Sequence, residues 1–119
     1  DGEQIVYVGN SGPAKRDQLL GQAKALLHPI NFEEPFGLSV AEAMMTGTPV
    51  IAFNKGSMPE LIEDGKTGFL VDNVDEAVGS LKGLSKIKPI DCCGHALSKF
   101  SQEKMVRDYI GVYEAVLGK

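Results

Sequence analysis

Two glutamates, Glu34 and Glu42, stand eight residues apart in the stretch "NFEEPFGLSVAEAMM" (31–45), with a proline and a glycine between them. Pro35 disfavours helix at the residue before it, and Gly37 is costly inside a helix. We therefore expect Glu34 in a loop and Glu42 in the first turns of a helix. Carboxylates accept hydrogen bonds from sugar and ribose hydroxyls, so this pair has the chemistry to hold two polyols.

The backbone between the two acids has the chemistry to bind an anion. At a helix start, the N–H groups of Phe36, Gly37 and Leu38 would point outward, with the positive end of the helix dipole behind them. Such groups suit a phosphate or a sugar oxygen. The segment therefore predicts a diphosphate site between two polyol sites.

The same residues also have interpretations that need no ligand. Ser39 and Glu42 have the spacing of a capping box, in which the Glu42 side chain would bond to the helix start. Glu33 and Glu34 could be solvated acids near a positive helix end. The residues alone leave these alternatives open.

Several other chemically suggestive residues favour structural roles. His28 lies in an apolar run and is expected to be packed and hydrogen-bonded, whereas Lys55 is expected to be a solvated loop lysine. The stretch 64–68 lacks the spacing of a phosphate-binding P-loop, so it predicts a turn. Cys92 and Cys93 are adjacent and lack CxxC spacing, so we interpret them as reduced thiols, one buried and one partly exposed.

The elements that would position these residues alternate between apolar runs and helical patterns. Four runs rich in aliphatic or β-branched residues predict strands: 5–9, 25–30, 49–53 and 68–71. Helices are predicted between them at 13–23, which begins with a proline, and at 39–47, which ends with a glycine. This alternation predicts an α/β fold with a parallel sheet, right-handed crossovers and helices on both faces.

The C-terminal third predicts three helices, at 74–86, 89–99 and 102–117. The last has apolar residues at spacings of three and four, and Ser101 is its predicted N-cap. No long linker separates these helices from the preceding elements, so we expect one domain at most.

The composition is that of an ordinary globular protein, because 43% of the 119 residues are hydrophobic and 24% are charged. The formal net charge of -4 and the scattered Lys and Arg argue against nucleic acid as a partner. No apolar run approaches the roughly 20 residues that span a bilayer, and the first residues lack a signal-peptide pattern. We therefore expect a cytoplasmic protein.

The motif E-P-F-G-L-S-V-A-E (34–42) resembles the E-x7-E motif of retaining glycosyltransferases of the GT-B fold, the glycosyltransferase family 4 type. The similarity continues through 41–71 and covers roughly residues 5 to 72, with a looser match in the C-terminal helices. It implies a Rossmann-like parallel sheet that belongs to an incomplete C-terminal, donor-binding domain of the GT-B fold.

In that family the matching positions bind a nucleotide-diphosphate sugar. The resemblance implies that Glu34 is the catalytic position that contacts and orients the transferred sugar, and that Glu42 binds the ribose. The backbone of 36–38 would meet the sugar and the diphosphate, and Asn10 and Ser11 would lie by the nucleobase. Retention is ascribed in the family to front-face attack within an ion pair, so we assign no covalent nucleophile.

The resemblance also implies partners and a larger enzyme. It implies a nucleotide-sugar donor, an unknown acceptor (a sugar, a lipid or a small molecule), no metal and no cofactor. Residues 1–119 would be part of a donor domain, because the family places two strands, a diphosphate-binding Arg and Lys, and an N-terminal acceptor domain before the strand that matches 5–9. The intact enzyme would be cytoplasmic or peripheral to the membrane, and the isolated chain would be inactive.

Two other functions fit parts of the pattern. A non-catalytic nucleotide-sugar-binding or regulatory module would have the same fold. A phospho-receiver signalling domain is also a parallel α/β fold of about this size. It needs an acid pair after its first strand, however, where this chain has Asn10, Ser11 and Gly12.

Overall fold

The structure is a computed structural model that describes residues 4–118. Strands and helices alternate as far as β3, and only helices follow it. In chain order the elements are α1 (Pro13–Gln22), β1 (Leu26–His28), α2 (Leu38–Met45), β2 (Val50–Phe53), α3 (Met58–Leu61), β3 (Gly68–Val71), α4 (Val74–Ser80), a 3-10 helix (Leu81–Lys86), α5 (Pro89–Phe100) and α6 (Gln102–Val116).

The three strands form one parallel sheet in the order β1-β2-β3. Leu26 of β1 lies opposite Val50 of β2, and Val50 lies opposite Gly68 of β3. Because the strands are parallel and follow chain order, a helical connection crosses over between each pair. The predicted α/β fold is therefore confirmed, and the runs 25–30, 49–53 and 68–71 each contain a strand.

The strand predicted at 5–9 is wrong, because these residues are not part of the sheet. Ile5 and Val6 are each 71% exposed, although both are apolar and β-branched. Strand propensity is mostly a preference for packing against neighbouring strands, so it does not by itself place a segment in a sheet. The sheet of the described residues has three strands instead of four.

Helices cover both faces of the sheet, and β2 is buried for that reason. Its side chains alternate in direction, as strand geometry requires. Val50 and Ala52 pack into a core shared with α2 and α5. Ile51 and Phe53 pack on the opposite face, against Ala77 of α4 and the 3-10 helix. The prediction of helices on both faces is confirmed.

The helix predicted at 74–86 divides into α4 and the 3-10 helix. Gly83 lets the 3-10 helix pack closely on Phe69 of β3, because an added Cβ at Gly83 would lie only 2.6 Å from the Phe69 ring Cζ. The predicted N-cap of α6 is confirmed, because Lys104 N donates to Ser101 Oγ at 3.1 Å.

The two cysteines are free thiols, as interpreted from the sequence. Cys92 is fully buried between α5 and the sheet, and its Sγ donates weakly to the Thr67 carbonyl at 3.6 Å. Burial, reinforced by the neighbouring Asp91 carboxylate, raises the pKa of Cys92 from 9.0 to about 11. Cys93 is half-buried.

Helix α6 carries its apolar residues on the surface. Tyr109 and Tyr113 are 56% and 63% exposed, and their ring centroids lie 6.3 Å apart. Over residues 4–118, none of the helices is both long enough and apolar enough to cross a membrane.

Candidate functional site

The candidate site is built on residues 31–37, here called the acidic loop, which joins β1 to α2 at the carboxyl edge of the sheet. Glu34 lies in this loop and Glu42 lies in α2, so the predicted division between loop and helix is confirmed. In open α/β sheets this edge is where ligands bind.

Gly37 ends the acidic loop in a conformation that favours glycine. Its φ is +95°, and an added Cβ would lie 2.7 Å from Met58 Cε and 3.2 Å from Leu61 Cδ1 of α3. Because Gly37 has no side chain, the first turn of α2 can pack directly against α3. Within residues 4–118, the N–H groups of Leu38 and Ser39 have no acceptor, as expected for the first turn of a helix.

The capping-box interpretation of Ser39 and Glu42 is wrong, because the N-cap of α2 is Gly37. Glu42 is paired elsewhere: its Oε2 lies 3.0 Å from Nε of Arg16 on α1. The N–H of Arg16 Nε is not aligned for a hydrogen bond to any atom of the described residues. The two side chains are 43% (Arg16) and 32% (Glu42) exposed, and such a pair contributes at most about 1 kcal/mol. Glu42 therefore remains accessible to a ligand.

A second loop holds the acidic loop in place. This is the β2–α3 turn, residues 54–57, and its backbone and one side chain donate to three residues of the acidic loop. Gly56 N donates to the Glu33 carboxylate. Ser57 N donates to the Glu34 carbonyl at 2.9 Å, and Ser57 Oγ donates to the Phe36 carbonyl. Glu33 is therefore a hydrogen-bonded cap of the turn and not merely a solvated acid.

Gly56 is necessary for this contact. Its φ is +58°, and an added Cβ would lie 2.5 Å from the Glu34 carbonyl oxygen and would also overlap the Glu34 amide nitrogen. Any larger residue would push the two loops apart. Lys55, next to it, is exposed, as predicted for a loop lysine.

The Phe36 ring anchors the end of the acidic loop to α5. It meets the Phe100 ring edge-on, with centroids 5.9 Å apart and planes at 84°. Both rings border an open groove between α1 and α2. The residues that line this groove are Arg16, Asp17, Phe36, Leu38, Ala41, Glu42, Met45, Thr46 and Phe100.

The groove thus brings Phe36, Leu38 and Glu42 together, but Glu34 does not line it. Asn10 and Ser11 do not line it either; they lie in the segment that leads into α1, where Asn10 is exposed and Ser11 is half-buried. A cleft shared by Glu34 and Glu42 therefore stays a prediction, as does a nucleobase site at 10–11.

Sequence reasoning missed both partners of the two acids, Arg16 at Glu42 and His28 at Glu34. His28, the last residue of β1, is mostly buried and hydrogen-bonded, as expected, but the atom that it meets is Glu34 Oε2, 3.2 Å from His28 Nε2. Its position six residues before Glu34 gives no periodic signal, because β1 ends between them.

Within residues 4–118, no group of three or more His, Cys, Asp or Glu side chains is placed to hold a metal ion. The expectation that the site uses neither metal nor cofactor stays a prediction.

Comparison with known proteins gives a family match over residues 2–87, to the family described as glycosyl transferases group 1. An uncharacterized 41.2 kDa protein in the cps region of Klebsiella pneumoniae is 34% identical over 119 residues, which cover 95% of this chain and 33% of that protein. A D-inositol 3-phosphate glycosyltransferase of Corynebacterium kroppenstedtii is 47% identical over 96 residues, 75% of this chain and 21% of that protein. A trehalose synthase of Pyrococcus horikoshii is 42% identical over 65 residues, 55% of this chain and 16% of that protein. The chain spans about a third or less of the length of these relatives.

Proposed function

This chain belongs to the glycosyl transferases group 1 family, and we propose that it supplies part of the donor site of a retaining glycosyltransferase that uses a nucleotide-diphosphate sugar. The observation that supports the proposal is the groove lined by Phe36, Leu38 and Glu42, beside which α2 begins with N–H groups that have no acceptor within residues 4–118. Acceptor binding would fall to other parts of an enzyme of the relatives' length.

Glu42 would accept hydrogen bonds from the ribose hydroxyls. It lines the open groove, and its contact with Arg16 is a weak surface pair that a ribose can share or displace at a cost of at most about 1 kcal/mol. A carboxylate suits this role because it accepts several hydrogen bonds at once.

The diphosphate would lie at the start of α2. The N–H groups of Leu38 and Ser39 need acceptors, and the helix dipole adds a partial positive charge at the same point. Charge builds up on the diphosphate as it leaves the sugar, so donors fixed in advance would stabilise it most in the transition state. The left-handed backbone of Gly37 and the Phe36–Phe100 contact keep these groups in position.

Glu34 would contact the hydroxyls of the transferred sugar and orient it. We assign it no covalent role, and we place the nucleobase near Asn10 and Ser11, just before α1. Helix α1 packs on α2, and Arg16 in the first turn of α1 lies 3.0 Å from Glu42, the proposed ribose ligand.

The test combines binding and turnover. Calorimetry with several nucleotide sugars is expected to detect binding, and Glu42→Gln is expected to weaken it by roughly tenfold, since one charged acceptor is lost. Glu34→Gln is expected to lower turnover in the intact enzyme more than it lowers nucleotide affinity. Glu114→Gln, on an exposed position of α6, is the matched control and should change neither.

Equal and negligible effects of Glu34→Gln and Glu42→Gln would contradict the proposed site. Donor binding that depends on Glu42, without turnover in the intact enzyme, would instead favour a non-catalytic nucleotide-sugar-binding module.

A further inference from the structure

The carboxylate of Glu34 has a single hydrogen-bond partner within residues 4–118, and that partner is His28. The atoms that meet are His28 Nε2 and Glu34 Oε2, 3.2 Å apart. Because an ionised carboxylate only accepts, the histidine ring donates from Nε2. The side chains are 11% (His28) and 26% (Glu34) exposed, so the bond is partly shielded from water.

Glu34 is therefore held at both ends by rigid parts of the fold. Its carbonyl accepts from Ser57 N in the β2–α3 turn at 2.9 Å, which fixes the backbone. Its carboxylate is tied to His28, and β1 fixes His28 opposite Ala52 of the fully buried β2. A loop side chain held in this way loses little further freedom when a ligand binds.

We propose that His28 is a positioning residue: its Nε2–H holds Oε2 of Glu34, so that Oε1 is left to accept a hydrogen bond from a hydroxyl of the donor sugar. The inference rests on the proposed function, in which Glu34 contacts the transferred sugar. It adds a residue outside the 34–42 motif to the site. Loss of the His28 hydrogen bond should weaken the binding only of ligands that carry a sugar beyond the diphosphate.

Two substitutions separate the hydrogen bond from the packing. His28→Gln keeps an amide N–H donor, and His28→Met fills similar space without a donor. Calorimetry would compare nucleotide sugars with the matching nucleoside diphosphates. His28→Met is expected to weaken binding of the nucleotide sugar by roughly threefold to tenfold and to leave the nucleoside diphosphate unchanged, and His28→Gln is expected to restore most of the loss.

A double-mutant cycle shows whether His28 acts through Glu34. In a Glu34→Ala background, His28→Met is expected to cause no further loss, because the carboxylate that it positions is gone. Ring-nitrogen NMR of the ligand-free chain gives a readout that does not depend on how the His28 variants fold. The His28 Nε2 resonance is expected to shift in Glu34→Gln.

Three results would overturn the inference while leaving the proposed function intact. They are an unmoved Nε2 resonance, an equal loss of affinity for both classes of ligand, or the same loss from His28→Met with and without Glu34. Failure of the wild-type chain to bind any nucleotide sugar would overturn the proposed function, and this inference with it.

Discussion

At the scale of single residues, Cys92 and Cys93 are neighbours in sequence with very different surroundings. Cys92 is fully buried and its pKa is raised to about 11, whereas Cys93 is half-buried. Because the thiolate is the reactive form, we expect a thiol reagent to label Cys93 at neutral pH and Cys92 only after unfolding. Mass spectrometry of the native chain should find one label, and Cys93→Ser should abolish it. Rapid double labelling of the native chain would contradict the buried position of Cys92.

The raised pKa of Cys92 also predicts a pH dependence of stability. The folded state holds this proton up to about pH 11, whereas the unfolded thiol loses it near pH 9.0. The stabilisation is therefore fully present below pH 9 and is lost as the pH rises from about 9 to about 11, with a loss on the order of 2 kcal/mol. Chemical denaturation of wild type and Cys92→Ala across this window isolates the effect, since only the wild type carries this titration. If the free energy of unfolding depended on pH in the same way in wild type and in Cys92→Ala, the raised pKa of Cys92 would be contradicted.

Single residues of the site were predictable only in part. Sequence rules placed Glu34 in a loop and Glu42 in a helix because proline and glycine act on their immediate neighbours. The partners of these acids, Arg16 and His28, come from other elements, so no local rule identifies them. The capping box predicted at Ser39 is wrong because the N-cap of α2 is Gly37, so Ser39 already lies inside the helix.

At the scale of elements, Gly37 decides how α2 meets α3. Gly37→Ala would force a side chain into a left-handed conformation and against Met58, so we expect a loss of about 1–3 kcal/mol in the free energy of unfolding. Gly94→Ala is the matched control. An added Cβ there meets nothing within 4 Å and lies inside α5, so a gain of about 0.5–1 kcal/mol is expected. Denaturant titration measures both changes, and similar values for the two variants would contradict the packing of α2 on α3.

The elements themselves were largely predictable, and the failures have physical causes. Three apolar runs became strands because helices cover both faces of the sheet. The run at 5–9 is also apolar and rich in β-branched residues but lies outside the sheet, so pairing depends on a neighbouring strand and not on the run alone. The helix at 74–86 divides after Ser80, and the 3-10 part packs on Phe69 through Gly83, a tertiary contact that periodicity does not contain.

At the scale of the whole molecule, we expect that these 119 residues alone do not transfer sugar. The chain spans about a third or less of its relatives, and holding an acceptor against the donor can contribute several kcal/mol to catalysis. Each stabilising donor missing from the leaving group would lower the rate by a further factor of about 10²–10³. A radiolabelled-donor assay should therefore find no product with this chain alone, while weak donor binding survives. Transfer by the chain alone would show that the site is misplaced or that the chain needs no further part.

The hydrogen bonds between the acidic loop and the β2–α3 turn have a practical consequence for protein engineering. A graft of residues 31–42 into another α/β scaffold would carry the recognisable motif but leave behind the turn that shapes it. The transplant should hold its conformation only when 54–57 moves with it, with glycine at position 56 and serine at position 57. The smallest portable version of this site is therefore two segments that are discontinuous in sequence.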